Sequence, residues 1–316
     1  MAIEAEDPCA LLRGIHVIDG GLASELEYLG ARIDGPLWSA HVLEDEPEKV
    51  AAVHRAFIQA GAQCIATCSY QVSRMGYAEV GLSPERADAA LLRSVEIARS
   101  VAAEFGGRSV LVAGSLGPYG AALHNGAEYT GDYDCSYPEL VQFHRERIEV
   151  LAAAAGAQAP DLLAFETFPS LDEVRAVGEA LAPWPALRAW FSFSCRDDEH
   201  VSHGESLAEC AGVVAAFPQT VAIGVNCVPP KWIPLLIAQL RSASDKSVVV
   251  YPNSGEGWDA TARCWRGNTD PGDFGTRAAD WFKAGAQIVG GCCRTRPAHI
   301  REVTQAAARV VQPLSS

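Results

Sequence analysis

The chain has 316 residues, 25 of them basic and 39 acidic, for a formal net charge of −14. An acidic chain without any run of lysine or arginine excludes the electrostatic footprint of a nucleic-acid binder and points to a small-molecule partner. No stretch reaches the roughly 18 uninterrupted apolar residues of a membrane span, the first residues carry acidic groups in place of a basic leader, and ten cysteines fit a reducing compartment, so a cytoplasmic protein with no membrane partner is expected.

Eight short apolar or β-branched runs alternate with longer amphipathic stretches. The first, 15–19, ends on Asp19. Pro47 to Ala60 then places Val50, Val53, His54, Phe57 and Ile58 on one helical face. The second run, 63–68, leads into Ser69 and Tyr70; its Cys64 and Cys68, four apart, share a face and read as packing residues. The third, 109–115, ends on Ser115 and opens into the longest irregular stretch, 116–136, where Tyr119, Tyr129, Asp132, Tyr133 and Asp134 stand among glycines. A stretch that long in a compact domain is a lid or binding loop, or else disordered. Pro138 to Ala155 is a second amphipathic helix, with Leu140, Phe143, Ile148 and Leu151 inward.

The remaining runs, 161–166, 187–194, 220–225, 247–251 and 286–290, close on Glu166, Ser194, Asn226 with Cys227, Asn253, and Cys292 with Cys293. Continuous apolar strands such as Val248-Val249-Val250-Tyr251 match a parallel sheet covered on both faces. A doubly wound sheet competes with a barrel. Eight units with polar or reactive residues at nearly every strand's carboxyl end favour a single-domain (β/α)8 TIM barrel over 1–316, with its core at about 11–312, because the C-terminal rim of a barrel collects those residues around one pocket. His200 and His203, beside Asp197, Asp198 and Glu199, read as a solvated turn.

The chemistry concentrates in Gly224-Val225-Asn226-Cys227 and Gly290-Gly291-Cys292-Cys293. Cys227 alone reads as core packing, and adjacent cysteines also form redox pairs. Two successive side chains cannot both enter one face of a strand, however, so the vicinal pair after two glycines looks like a strand end opening into a site. Three cysteines hold a zinc ion and leave its fourth position open, the arrangement of catalytic rather than structural zinc, and a thiol bound there is deprotonated. The implied chemistry is attack by sulfur. The tyrosines Tyr119, Tyr129 and Tyr133 of the 116–136 stretch, with Asp132 and Asp134 nearby, suit a loop that closes over a cationic sulfonium, or one that packs only on itself.

Eight segments together resemble the homocysteine S-methyltransferases, in particular the S-methylmethionine-dependent branch. They are Asp19-Gly20-Gly21-Leu22-Ala23-Ser24-Glu25-Leu26-Glu27, Pro36-Leu37-Trp38-Ser39-Ala40, Ala60-Gly61-Ala62-Gln63, Ser69-Tyr70-Gln71, Phe165-Glu166-Thr167, the two cysteine segments, the latter extended by Arg294-Thr295, and Tyr251-Pro252-Asn253-Ser254-Gly255-Glu256. The resemblance implies a (β/α)8 barrel, zinc on Cys227, Cys292 and Cys293, and homocysteine sulfur at the open position. It also implies that Asp19 and Glu166 hold the amino group of homocysteine and that Asn253 is a displaceable zinc ligand; an Asx-turn at Asn253 and a helix cap at Asp19 are the structural alternatives. Ser69, Tyr70 and Gln71, which follow the second run, are candidates to reach the substrate carboxylate through hydroxyl or backbone N–H groups. The expected partners are homocysteine and a sulfonium methyl donor, S-methylmethionine or S-adenosylmethionine. A betaine- or corrinoid-dependent module of the same type and a non-catalytic zinc-binding protein are the rival readings.

Overall fold

The computed structural model of the chain describes residues 8–33, 37, 41–259, 264–266 and 270–311. Pro36 and the segment from Trp38 to Ala40, quoted above for the resemblance, lie outside them, as does position 312 at the expected end of the core.

Among the described residues nine strands form in chain order: Cys64–Ala66 (β1), Leu111–Leu116 (β2), Leu162–Phe168 (β3), Ala189–Phe193 (β4), Thr220–Asn226 (β5), Ser247–Tyr251 (β6), Gly257–Asp259 (β7), Cys264–Arg266 (β8) and Ile288–Val289 (β9). All but β7 and β8 join one parallel sheet in the order β1-β2-β3-β4-β5-β6-β9. Strands β7 and β8 make an antiparallel hairpin that the apolar pattern of the sequence did not announce. The eight apolar runs account for the seven sheet strands and for Val17 and Ile18, which bridge in parallel to Val289 on one side and Cys64 on the other. The sheet is therefore curled, with both of its edges meeting this pair.

Several of the expected strands are shorter than their runs: 63–68 gives Cys64–Ala66 and 187–194 gives Ala189–Phe193, and the shortest are 15–19, which contributes only the bridging pair, and 286–290, which contributes only Ile288 and Val289. The chain is closely packed where the last of these ends: a Cβ on Gly290 would lie 2.3 Å from Ile18 Cγ1 and 2.7 Å from the Asp19 carbonyl, and one on Gly291 2.3 Å from Thr295 Oγ1. Glycine is required where chain segments approach this closely.

Apolar side chains pack in two layers. The larger cluster lies between the strands and the helices that cross over between them, and includes Val50, Phe57, Leu91, Phe165, Phe191, Ile237 and Trp281. A smaller cluster draws on Ile18 and on every strand of the sheet, with Cys64, Ala113, Ala164, Trp190, Ala222, Val249 and Ile288, and is joined by Leu12 from the 3₁₀ turn Pro8–Leu12. This second layer fills the concave side of the sheet, as the alternation of side chains along parallel strands requires.

The helices form where their patterns place them. Pro47–Ala60 buries Val50, Val53, His54, Phe57 and Ile58, and stops at Gly61, whose φ of 117° is open to glycine. Tyr137–Ala152 starts from a capping box between Ser136 and Glu139 and buries Leu140, Phe143, Ile148 and Leu151. The 116–136 stretch is structured rather than featureless, with a helical turn at Tyr119–Ala122 and a 3₁₀ turn at Ala127–Tyr129. Among the described residues no helix is long and apolar enough to cross a membrane.

One core residue has a pH signature. His54 is fully buried, neither ring nitrogen has a hydrogen-bond partner, and burial pushes the imidazole down to about 4. Below its unfolded value of roughly 6.5 the unfolded chain takes up a proton that the folded chain refuses, so this neutral histidine withdraws about 3 kcal/mol of stability as pH falls from 6.5 to 4. His54→Leu should therefore gain about 3 kcal/mol relative to the native chain between pH 7 and pH 4 in urea titrations. Parallel stability profiles for the two proteins would show that the imidazole is not held neutral.

Candidate active site

Because the sheet is parallel, the carboxyl ends of its strands lie on one side. They surround a pocket of about 150 Å³, smaller than the ~300–1,000 Å³ of sites for drug-sized ligands. Asp19, Ser115, Glu166, Asn226, Cys227, Cys292 and Cys293, all anticipated at strand ends, line it together with Tyr70.

The cysteines converge. Their Sγ atoms all lie within 4.8 Å of one another, with Cys292 to Cys227 at 3.1 Å and Cys227 to Cys293 at 3.3 Å. Cys227 adopts φ 56° and Arg294, directly after Cys293, φ 65°. Such left-handed positions are costly for residues with side chains and mark places where the backbone is bent to aim a group. Hydrogen bonds from its two neighbours pull the Cys227 thiol well below the ordinary thiol range, despite burial. The Tyr129 hydroxyl lies 3.2 Å from Cys227 Sγ.

Behind the cysteines, Asn226 ties two strand ends together. Its Oδ1 accepts from the Thr167 N–H at 2.8 Å, and its Nδ2 donates to Thr167 Oγ1 at 2.7 Å and approaches Cys292 Sγ at 3.9 Å. Thr167 is β-branched and sits at φ 65°, a conformation that the paired hydrogen bonds compensate.

Asp19 and Glu166 face each other across the pocket wall and are 5% and 8% exposed. Asp19 accepts from the Ala66 N–H at 2.9 Å, so its carboxylate is tied to the β1 end and does not cap the helix Leu22–Tyr28, whose N-cap is Gly21. Glu166 accepts a hydrogen bond from Ser115. Burial, reinforced by Glu166, raises the Asp19 carboxyl well above the usual range; burial raises Glu166 to about 7 against the opposing bonds from Ser115 and Tyr251. Two carboxylates held in this way favour a cation between them.

Other anticipated residues stand elsewhere. Ser69 is fully buried, bonded to Thr67 Oγ1 at 2.7 Å and to the Ser115 carbonyl at 2.8 Å, and does not line the pocket. Asn253 flanks Cys227: its Nδ2 donates to the Cys227 carbonyl at 3.3 Å, while its buried Oδ1 has no partner and makes no Asx-turn. Of the three loop tyrosines only Tyr129 lines the pocket; Tyr119 and Tyr133 pack together at 5.4 Å between ring centroids, behind the wall. Asp132 is 80% exposed. Gln71, which follows Ser69 and Tyr70, lines the pocket, as does Glu128, which the sequence reading missed; each keeps a buried side-chain oxygen without a partner. Burial raises Glu128 to about 7. A lone glutamate in a glycine-bracketed stretch carries no signal that distinguishes it from a solvated loop charge.

Comparison with known proteins agrees with this geometry. The family model described as homocysteine S-methyltransferase matches residues 16–307. The chain is 42% identical over 295 residues to a homocysteine S-methyltransferase of Escherichia coli (strain K12), covering 90% of this chain and 93% of that one. It superposes on the crystal structure of the homocysteine methyltransferase MmuM from Escherichia coli in its oxidized form, with a TM-score of 0.84 and 40% identity, and on the metallated form with 0.82 and 40%, each over 95% of this chain and 99% of the other.

A buried charged network backs the pocket wall. Arg147, 2% exposed, donates to the Gly117 carbonyl and to His144 Nδ1, both at 2.9 Å; the Nδ1 atom must then accept, so the proton sits on Nε2, which donates to Glu173 Oε1 at 2.9 Å. Burial holds His144 neutral, at about 4. Glu173 also accepts from the Tyr119 N–H and the Tyr133 hydroxyl, and so fastens both sides of the segment that carries Tyr129. Glu173→Gln leaves the Arg147 charge buried without its counter-ion and should cost about 3–5 kcal/mol in urea denaturation. A loss under about 1 kcal/mol would show that the network does not hold the segment.

Proposed function

The chain belongs to the homocysteine S-methyltransferase family, and on that premise we propose that it transfers a methyl group from a sulfonium donor, S-methylmethionine before S-adenosylmethionine, to homocysteine bound at a zinc ion, forming methionine. The protein is an enzyme, a homocysteine S-methyltransferase. The convergence of Cys227, Cys292 and Cys293 on one point of an acid-walled pocket is the observation that carries the reading. We read the curled sheet with Val17 and Ile18 as a closed (β/α)8 barrel, a single domain with its core at about 11–312, in the reducing cytoplasm where these thiols stay available. The bridges to both sheet edges and the inner cluster fed by every strand support closure.

Three soft sulfur donors on a pocket wall fit zinc with a place left for a substrate, and the unpartnered Asn253 Oδ1 beside Cys227 is a candidate for that place when homocysteine is absent. Bound zinc would supply the charge that keeps the homocysteine sulfur deprotonated at neutral pH. Asp19 and Glu166 hold the substrate ammonium, whose positive charge relieves the burial that raises both carboxyls. Tyr70 lines the same wall and reaches the substrate carboxylate, with Ser69 setting the β1 end behind it. Asn226 and Thr167 fix the strand ends that carry Cys227 and Glu166. Tyr129 closes the outer side, with Tyr119 and Tyr133 positioning its segment. With acceptor and donor held in line, the new S–CH₃ bond forms as the bond to the positive sulfur breaks, the electron pair stays on the donor as a neutral thioether, and the acceptor's thiol proton goes to solvent. The protein's contribution is proximity and charge placement rather than a general base.

Methionine formation from homocysteine with S-methylmethionine, S-adenosylmethionine or betaine tests the reading; turnover with betaine alone, or none with any donor, would overturn it. Alanine at Cys227, Cys292 or Cys293 should strip zinc measured by metal analysis, and full retention in all three would remove the assignment. Asp19→Asn and Glu166→Gln should each weaken homocysteine binding about tenfold or more while keeping the metal, from the loss of one charge-assisted hydrogen bond. Normal homocysteine affinity in both variants would assign the ammonium to other groups.

A further inference from the structure

Glu128 is the acidic group of the pocket that the proposed homocysteine site leaves unused. It is 9% exposed, one of its carboxylate oxygens is buried without a partner, and it lines the pocket. Buried polar groups are almost always hydrogen-bonded, so an orphaned carboxylate oxygen at a ligand site marks the place of a ligand group. Its backbone is held firmly: Ser194 at the end of β4 donates to the Glu128 carbonyl at 3.0 Å, and Ser202 supports Ser194 at 2.8 Å.

Glu128 is carried by the 3₁₀ turn Ala127–Tyr129 and not by a strand end, unlike the other two carboxylates. Glu166 acts on Asp19, both Glu166 and Glu128 feel Cys227, and Glu128, unlike the other two, acts on Tyr70. It precedes Tyr129, whose hydroxyl lies 3.2 Å from Cys227 Sγ and whose ring is 45% exposed at the pocket mouth. Thus one further carboxylate and the Tyr129 ring line the pocket beside Cys227, in addition to the ammonium pair and to Tyr70. Among the described residues lining the pocket none is lysine, arginine or histidine. A carboxylate beside aromatic faces is a cation-binding set.

We propose that Glu128 is the counter-charge for the sulfonium centre of the methyl donor, and sets the preference for a cationic donor over its neutral thioether product. This inference rests on the functional reading above. When the methyl group leaves, its bonding pair stays on the donor sulfur, the positive charge disappears, and the attraction to Glu128 disappears with it. Glu128 therefore contributes to donor binding and to discrimination against the spent donor, and not to the transfer step, in which the charge it favours is lost.

The test compares the zinc-loaded full chain with Glu128→Gln, using S-methylmethionine as donor and, as inhibitor, its carbon isostere in which a methine replaces the sulfonium. Glu128→Gln should raise the donor KM about tenfold, leave kcat no lower than native, and leave the inhibition constant of the isostere unchanged. Glu128→Asp should recover part of the KM. Homocysteine affinity and zinc content, measured calorimetrically and by metal analysis, should match the native protein and so report the fold. An unchanged donor KM overturns the assignment, as does an equal loss for donor and isostere, which would move Glu128 to the donor's ammonium. A fall in kcat with KM unchanged also overturns it. If the native protein transfers no methyl group from any sulfonium, the functional reading itself fails; if it does and the variant behaves identically, only the role of Glu128 fails.

Discussion

Gathering three thiols and three carboxylates at one end of an otherwise apolar sheet is the constraint on which the rest of this structure depends. Buried charge is costly unless it is paired or bonded. The fold meets that cost with specific bonds, Ala66 N–H to Asp19, Ser115 to Glu166, and thiol to thiol among the cysteines. Parallel pairing makes the gathering possible, because each carboxyl end finishes on the same side. The backbone accepts left-handed conformations at Thr167, Cys227 and Arg294 to turn the chain there, and two of these residues line the pocket. Strain of this kind persists where surrounding bonds over-determine the conformation, as the Asn226 amide does for Thr167.

The groups left unsatisfied are as informative as those that are bonded. Gln71 Oε1, Glu128 Oε2 and Asn253 Oδ1 are buried without partners at or beside the pocket. Three open polar groups gathered at one point leave a surface shaped for polar ligands. The sign of that surface is negative. It suits an ammonium and a sulfonium, and it is consistent in sign with the chain's net charge of −14, which draws cations toward the pocket over longer distances.

Rigidity of the outer wall comes from a region with no direct part in the chemistry. Arg147, His144 and Glu173 form a buried chain with one charge of each sign and a neutral imidazole between, and Glu173 receives the Tyr119 N–H and the Tyr133 hydroxyl. Two tyrosines that lie outside the pocket thereby determine where Tyr129 and Glu128 stand. The segment expected to be a lid is fastened at both sides, so the adaptable part of the site lies in the ligand-facing groups rather than in the loop as a whole.

Local pattern was enough to place the sheet strands and the two long amphipathic helices, since apolar runs and a 3.6-residue period are properties of neighbouring residues. The cysteine segments were legible for a related reason: a vicinal pair after two glycines cannot be packed into one strand face, whatever the fold. The hairpin Gly257–Asp259 with Cys264–Arg266 escaped that reading because two strands of three residues leave too little alternation to register. The placement of Tyr119, Tyr133 and Ser69 behind the wall, and of Glu128 within it, depends on which side of a turn faces inward. That is decided by long-range bonds from Glu173, Ser115 and Ser194, and no neighbour in sequence encodes it. The amino-acid sequence by itself determined which residue types could perform sulfur chemistry and that they end strands; only the tertiary structure decided which of them share one pocket, because that follows from the curl of the sheet and from bonds between residues dozens of positions apart.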